Sequence, residues 1–440
     1  MRWLDTAQAR LGISTFILFT GWAGDAWRNL IGWYGFGVVV LLVVTGAVLL
    51  IVRNRARFTM NALPLPLIAF VVLTTVSIAW SYYPLSSALG ITLTLMTITA
   101  GLGVALAVNG DELLRVLGWV FRAILGLSYL FELVVSVFFR EPIFPVWNLT
   151  GHGDNPSKLL YWSRDLLFDG GKIQGIVGNS SLLAMVGLVA LIVFTIQLAS
   201  RAVSRAAGVL WIAVALVTIG ITRSATIFIA VAVVAVLTLV VVLLRRTART
   251  RVAIPVRVGA LLVLAAGVAI AVALRAPLLG ALGKSETLTG RIGIWEAVIG
   301  LAQQRPIVGW GWVSWWSPWA APFDHLIRRG GVQVLHAHNA WLDIWLQLGV
   351  LGLVVFGALV VSTWYRSWQI ANDRVRVSVS GEGSYSWVSM LPLLVLTAQL
   401  VQSLAESRLI IEGGLMLLVA FAVLTKRGLH LTPREGSPAR

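Results

Sequence analysis

The feature that most constrains this chain is a series of long apolar runs. They lie at residues 11–24, 33–52, 62–80, 87–108, 115–138, 176–199, 207–222, 224–244, 256–275, 340–363, 387–404 and 408–425. Several reach about 20 residues, the length of helix that crosses about 30 Å of hydrocarbon. A chain in lipid must satisfy its own backbone hydrogen bonds, so only helices and closed barrels span a membrane. A barrel would alternate apolar and polar residues in segments of about 10, and these runs do not alternate. The expected fold is an all-α polytopic membrane protein, a single membrane domain over residues 1–440, with about twelve transmembrane helices. The charge content agrees: 12% of residues are charged and the mean hydropathy is +0.88, where a soluble domain carries about 25% charged residues.

The net charge of +16 would suggest nucleic acid in a soluble chain. Here the arginines stand mainly between apolar runs, so they report topology and contact with anionic lipid; no nucleic-acid partner is expected. The basic clusters are Arg53, Arg55 and Arg57; Arg201 and Arg205; Arg245, Arg246, Arg249, Arg251 and Arg257; Arg366, Arg374 and Arg376; and Lys426 with Arg427. With both termini cytoplasmic, every cluster falls inside, and residues 426–440 form a cytoplasmic tail. The same topology puts two long loops outside, residues 139–175 and 276–339. Loops of such length are functional or disordered, and their aromatic content argues against disorder. Four of the five histidines, His152, His325, His336 and His338, fall in them. The apolar stretch Gly12–Trp22 lacks a small-residue cleavage site and reads as a first membrane helix rather than a signal peptide. There is no cysteine, so the redox compartment is not encoded.

The chemistry-bearing residues concentrate in Gly290–Gly352. Asn339 is a good N-cap for a helix beginning at Ala340. His338 then sits at the positive end of that helix dipole, which disfavours imidazolium and leaves a neutral ring able to act as a general base. The plainer alternative is a cap beside an interfacial histidine bonded to backbone. A metal site from His336 and His338 is not expected, because no cysteine and no nearby carboxylate cluster completes it. Thr289-Gly290 can start a helix through Ile294, Trp295, Val298 and Leu301. Arg291 in its first turn opposes the dipole, so it reads either as half of an anion site at a helix N-terminus or as an arginine snorkelling at the surface. Arg223 stands at the outer end of a hairpin between two spans, a position that is functional or a simple anchor. Arg408 and Glu406, between the last two spans, are placed to pair with each other. Arg305-Pro306-Ile307-Val308-Gly309-Trp310-Gly311-Trp312 reads as a helix stop and a Gly-rich turn. Trp310, Trp312, Trp315, Trp316 and Trp319 suit an interfacial aromatic belt, with stacking on sugars as the alternative.

In this order the pieces resemble the O-antigen ligase and Wzy-type polymerase superfamily, including exopolysaccharide polymerases of the ExoQ type. Gly290-Arg291 with Trp295 looks like its "GR…W" element. Arg305–Gly311 is similar to "hPllGvG", and His336-Ala337-His338-Asn339-Ala340-Trp341-Leu342-Asp343 with Leu348–Gly352 is similar to "HaHNxxLd…lGxxG". Upstream, Ile173–Asn179 and Ser77–Leu85 resemble two weaker elements. The hairpin departs from the pattern: Thr222-Arg223-Ser224-Ala225-Thr226 has Ala225 where the family carries a basic residue, with Arg223 two positions earlier.

The resemblance implies a GT-C-like, metal-independent, inverting glycosyltransferase of the bacterial cytoplasmic (inner) membrane, acting on its outer face without a cofactor. It implies an undecaprenyl-pyrophosphate-linked glycan as donor and a glycan or lipid-borne sugar as acceptor. His338 is the implied base, and Arg291, with Arg223, the implied pyrophosphate contact. His336, Asn339, Arg305, Trp295 and Arg408 are secondary candidates. The alternative class is a transporter or flippase of a lipid-linked or anionic substrate, which needs charged or broken helices near the bilayer midplane.

Overall fold

The computed structural model describes residues 6–55, 63–149, 156–247, 255, 259, 291–329, 331–373 and 385–428. The chain is a helical bundle: α1 (Ala7–Trp22), α2 (Gly24–Arg53), α3 (Leu65–Val76), α4 (Pro84–Ala107), α5 (Gly110–Val134), α6 (Ser180–Ala199), α7 (Arg205–Thr222), α8 (Ala225–Thr247), α9 (Arg291–Ala302), α10 (Ala340–Asn372), α11 (Leu391–Ser403) and α12 (Glu412–Lys426). The β-structure among the described residues is slight. One antiparallel pair joins Arg328–Arg329 to Val332–Gln333, and a bridge pairs Ile143 with Ser163.

Among the described residues, seven helices are long and apolar enough to cross a membrane: α2, α4, α5 with its π-helical extension to Phe139, α6, α7, α8 and α10. The expected twelve spans are therefore not reached among the described residues. The candidate span 256–275 lies outside them, as do loop residues 276–290. The runs 11–24, 62–80, 387–404 and 408–425 form helices too short to meet that length, such as the 12-residue α3 and the 15-residue α12.

Burial sorts the helices. In α12 every residue from Gly413 to Thr425 is buried, and α6 is nearly as enclosed, so these two are central. Polar side chains are scarce on them because their whole circumference packs against protein. Small residues let backbones approach where apolar lipid supplies no hydrophobic drive: a Cβ on Gly413 would lie 2.7 Å from the Gly21 carbonyl of α1. α2 and α7 instead expose about half of their apolar side chains, as lipid-facing helices do. Arg245, at the end of α8 expected to face the cytoplasm, ties the bundle there. Its Nε donates to the Ala371 carbonyl at 2.8 Å and its fork reaches Ser386 O at 3.1 Å and Ser389 Oγ at 2.9 Å.

The part that positions the site is a break in α10. Gly349 has φ +64°, ψ −162°, a left-handed conformation that glycine adopts without penalty. The break frees backbone groups, and the turn after α9 takes them up. Trp310 and Gly311 amides donate to the Leu346 and Gln347 carbonyls at 3.0 and 2.9 Å, while the Val350 and Leu351 amides donate to Pro306 and Ile307 carbonyls at 2.9 and 3.2 Å. Irregular backbone is tolerated in a membrane protein where it is buried against protein, and here one irregular segment completes another. Ser77–Leu85 grips the same turn from the other side. Trp80 Nε1 donates to Val308 O at 3.1 Å, the Tyr83 hydroxyl to Gly311 O at 3.0 Å, and the Tyr82 amide to Trp310 O at 3.1 Å.

The first loop is also pinned. Buried Glu132 on α5 accepts from the Gln174 and Gly175 amides at 2.8 and 2.7 Å and from Ser163 Oγ at 2.8 Å. Asn179 then caps α6 through the Ser181 amide at 2.8 Å.

Candidate active site

Three segments meet at one point: the first turn of α9, the turn His336–Asn339, and the connection between α11 and α12. Glu406 of that connection stands at the centre. Its Oε1 accepts from Arg291 Nη2 at 2.6 Å, and its Oε2 lies 3.0 Å from His338 Nδ1. Burial alone would raise the Glu406 carboxyl. The His338 imidazole, hydrogen-bonded to it, and the Arg291 guanidinium outweigh it and hold the pKa well below the usual carboxylate range. An ionised carboxylate can only accept. Nδ1 of a neutral His338 ring therefore carries the proton, and Nε2 keeps the lone pair.

The turn itself is held from several sides. Trp295, one turn after Arg291, donates its indole N–H to the Ala337 carbonyl at 3.1 Å. His338 has φ +49°, and its amide donates to His336 Nδ1 at 3.1 Å. The two imidazole centroids are 4.0 Å apart, and Trp315 stands edge-on to His336 at 4.9 Å. Burial first, then the neighbouring His338, pushes the His336 pKa well below that of a free imidazole, so His336 is a neutral acceptor. Asn339 is the N-cap that the sequence predicts: Oδ1 accepts from the Trp341 and Leu342 amides at 3.0 and 3.2 Å. Its Nδ2 also donates to Leu404 O at 3.3 Å, tying the turn to the segment that carries Glu406.

Several expectations need correction. Glu406 does not pair with Arg408. Arg408 pairs with Glu412 and, at 3.1 Å, with Asp25, and lies over the Trp315 ring at 5.4 Å. Glu412 stands four residues along, at the start of α12, and the fold brings Asp25, near the start of α2, to the same guanidinium. A metal site from His336 and His338 is not expected for want of cysteine and of a carboxylate cluster, yet one carboxylate does stand beside them. Single donor atoms of His336, His338 and Glu406 all lie within 4.8 Å of one another, a grouping that could hold a cation. Arg291, already 2.6 Å from Glu406, opposes a second positive charge there.

Three of the five tryptophans belong to the core and to neither a belt nor an open stacking surface. Trp310, Trp312 and Trp316 are buried, with Trp312 at 0% exposure and its Nε1 donating to Thr94 Oγ1 at 2.8 Å; Trp319 is exposed. They fill the core beneath the outer segment. Arg305 is structural in the same way, donating to Trp80 O at 3.3 Å with its guanidinium over Tyr82 and Trp310.

Arg223 is not brought to this cluster by any hydrogen bond or ion pair among the described residues. It is the left-handed C-cap of α7, with φ +46°, and its Nη2 donates to Gly170 O of the first loop at 3.0 Å.

The matched family covers part of this arrangement. Residues 209–357 match the O-antigen ligase family model, Wzy_C. The match takes in about a third of the chain and is a likeness of that segment to the family. Arg223, Arg291, Arg305, His336 and His338 fall within the matched residues, and Glu406 beyond them. A relative in sequence is the exopolysaccharide production protein ExoQ of Rhizobium meliloti (strain 1021), 30% identical over 91 residues. That alignment spans 20% of this chain and 21% of the relative, so it covers about a fifth of each. The matched segment thus lies in a helical chain that has, among the described residues, seven helices long and apolar enough to cross a membrane.

Sequence reasoning missed Glu406 as the partner of His338. The available signal was a carboxylate at the end of an apolar helix, an expensive place for an unpaired charge. Which of several arginines or histidines would meet it was a property of the fold.

Proposed function

We propose that this chain is a membrane glycosyltransferase of the ligase or polymerase type. It transfers a glycan from an undecaprenyl-pyrophosphate donor on the extracytoplasmic face of the bacterial cytoplasmic membrane. The observation that carries this reading is the Arg291–Glu406–His338 relay, which lies within and next to the O-antigen ligase match.

Nε2 of His338 takes the proton of the acceptor hydroxyl as that oxygen bonds to the anomeric carbon. The bond from that carbon to the pyrophosphate breaks, and the electron pair leaves with the pyrophosphate. Attack opposite the leaving group inverts the anomeric centre. Glu406 fixes the tautomer and compensates the positive charge the ring acquires, as the carboxylate of a catalytic triad does. Arg291 keeps Glu406 ionised and offers its remaining N–H groups to the leaving pyrophosphate; a planar fork suits phosphate oxygens. Arg223, exposed at the outer end of the α7–α8 hairpin, is the second candidate contact for the pyrophosphate. None of these steps requires a metal ion.

The test is incubation of the purified protein with an undecaprenyl-pyrophosphate oligosaccharide, with and without EDTA. A ladder of longer lipid-linked chains identifies a polymerase, and a single adduct on an added sugar acceptor a ligase. Activity lost in EDTA and restored by a divalent cation would assign the His336–His338–Glu406 group to a metal instead. No product under any condition, with folded protein, would favour the transporter reading. The breaks at Gly32 and Gly349 give that reading a foothold, although the protein's own backbone fills the second.

A further inference from the structure

Asp343 stands on the first turn of α10 and is fully buried. Its carboxylate accepts from three separate segments. Oδ1 takes the Trp316 indole N–H at 2.9 Å. Oδ2 takes the Ala337 amide at 3.0 Å and the Ser407 hydroxyl. One turn along the same helix face, buried Gln347 repeats the pattern. Its Oε1 accepts from the Val313 and Ser314 amides, each at 2.9 Å, and its Nε2 donates to Ser314 O at 3.4 Å. All of Asp343's hydrogen-bond donors are neutral, so it is not half of an ion pair.

Two of those donors adjoin the reacting groups. Ala337 precedes His338, and Ser407 follows Glu406. One carboxylate oxygen therefore ties together the backbone that carries the base and the backbone that carries its partner, across a span of 64 residues between Asp343 and Ser407. Trp316 fixes the other oxygen to the packed outer segment, where its ring stacks on Phe323 with centroids 5.4 Å apart.

We propose that Asp343 is the positioning residue of this site. It sets the separation of His338 and Glu406 without touching substrate, and it rests on the reading of His338 as the base. In Asp343→Asn an amide group falls where Ala337 or Trp316 needs an acceptor. One buried N–H is then left unsatisfied, a cost borne by the segment it belongs to. A misplacement of about 1 Å at a reacting group costs about a hundredfold in rate.

The test uses full-length protein in nanodiscs, measuring transfer kinetics and amide hydrogen exchange together. For Asp343→Asn, kcat should fall about a hundredfold, with the KM for the lipid-linked donor held within about threefold. Peptides covering residues 334–339 and 404–411 should both exchange faster, while those of α6 stay unchanged. If α6 also loosens, the variant has failed to fold. Ser407→Ala then carries the test, since it removes one donor and leaves the other two; it should loosen 404–411 and lower kcat by a smaller factor at constant KM. Unchanged kcat, or loosening of neither segment, overturns the proposal. If the wild type transfers nothing, the transfer reading fails by itself. Exchange alone then decides: joint loosening of both segments sustains the positioning role, and its absence removes it.

Discussion

Glu406 illustrates how much one side chain decides in this protein. It holds a guanidinium on one oxygen and an imidazole on the other, so it fixes both the proton on His338 Nδ1 and the direction of Nε2. Glu406→Gln keeps the shape but removes the charge and turns a donor toward either Arg291 or His338. Turnover should fall by about a hundredfold or more, the scale of a general base that has lost its tautomer control. Arg291→Lys should be similarly impaired, because a point charge replaces a fork. Steady-state transfer rates check both; wild-type turnover in either variant would reduce that residue to a structural anchor. At this scale the sequence was legible for His338, Asn339 and Arg291, which announce themselves by helix position. It was not legible for Glu406, whose partners lie 68 and 115 residues away.

At the scale of elements, the break at Gly349 explains why two short motifs occur together. Arg305–Gly311 and Leu346–Gly352 exchange backbone hydrogen bonds, each supplying what the other lacks. A Cβ at position 349 would run into the Ile307 carbonyl and sit in a left-handed conformation. Gly349→Ala should therefore destabilise by at least about 1–3 kcal/mol, read as a lower midpoint of thermal unfolding in detergent; an unchanged midpoint would mean the break is not held as described. The periodicity and caps of α9 and α10 predicted where these helices begin. The buried tryptophans were misread because an aromatic-rich outer segment has the same composition whether it lines an interface or forms a core. Only the packing of Trp310, Trp312 and Trp316 separates the two.

At the scale of the whole molecule, apolar run length gave the polytopic helical class, yet did not count spans: α3, α11 and α12 are apolar but short. Topology is directly testable because the chain has no cysteine. With the site outside, a single cysteine replacing exposed Trp319 should be labelled by an impermeant maleimide on intact cells. One replacing exposed Arg201 should be labelled only after permeabilisation; the reverse pattern would invert the membrane orientation. Acid stability is set by the site as well. The His336 pKa is depressed in the fold, so below about pH 6.5 the unfolded chain takes the proton first and stability falls. Glu406 is depressed too; its contribution is present above about pH 4.3 and is lost as the pH falls through its folded value. Both act in one direction. Between about pH 7.5 and about pH 5 the wild type should lose more of its unfolding midpoint than His336→Asn does. A loss no larger in the wild type than in His336→Asn would contradict the neutral state of His336.

The most direct test of the account is transfer from an undecaprenyl-pyrophosphate oligosaccharide by wild type and His338→Ala, with folding and membrane insertion of the variant confirmed in parallel. The account predicts product with the wild type and none with the variant. Activity in the variant above about a few per cent would contradict it, since loss of a general base costs about 10²–10⁴-fold, and would move the role of base to another residue, with His336 tested next.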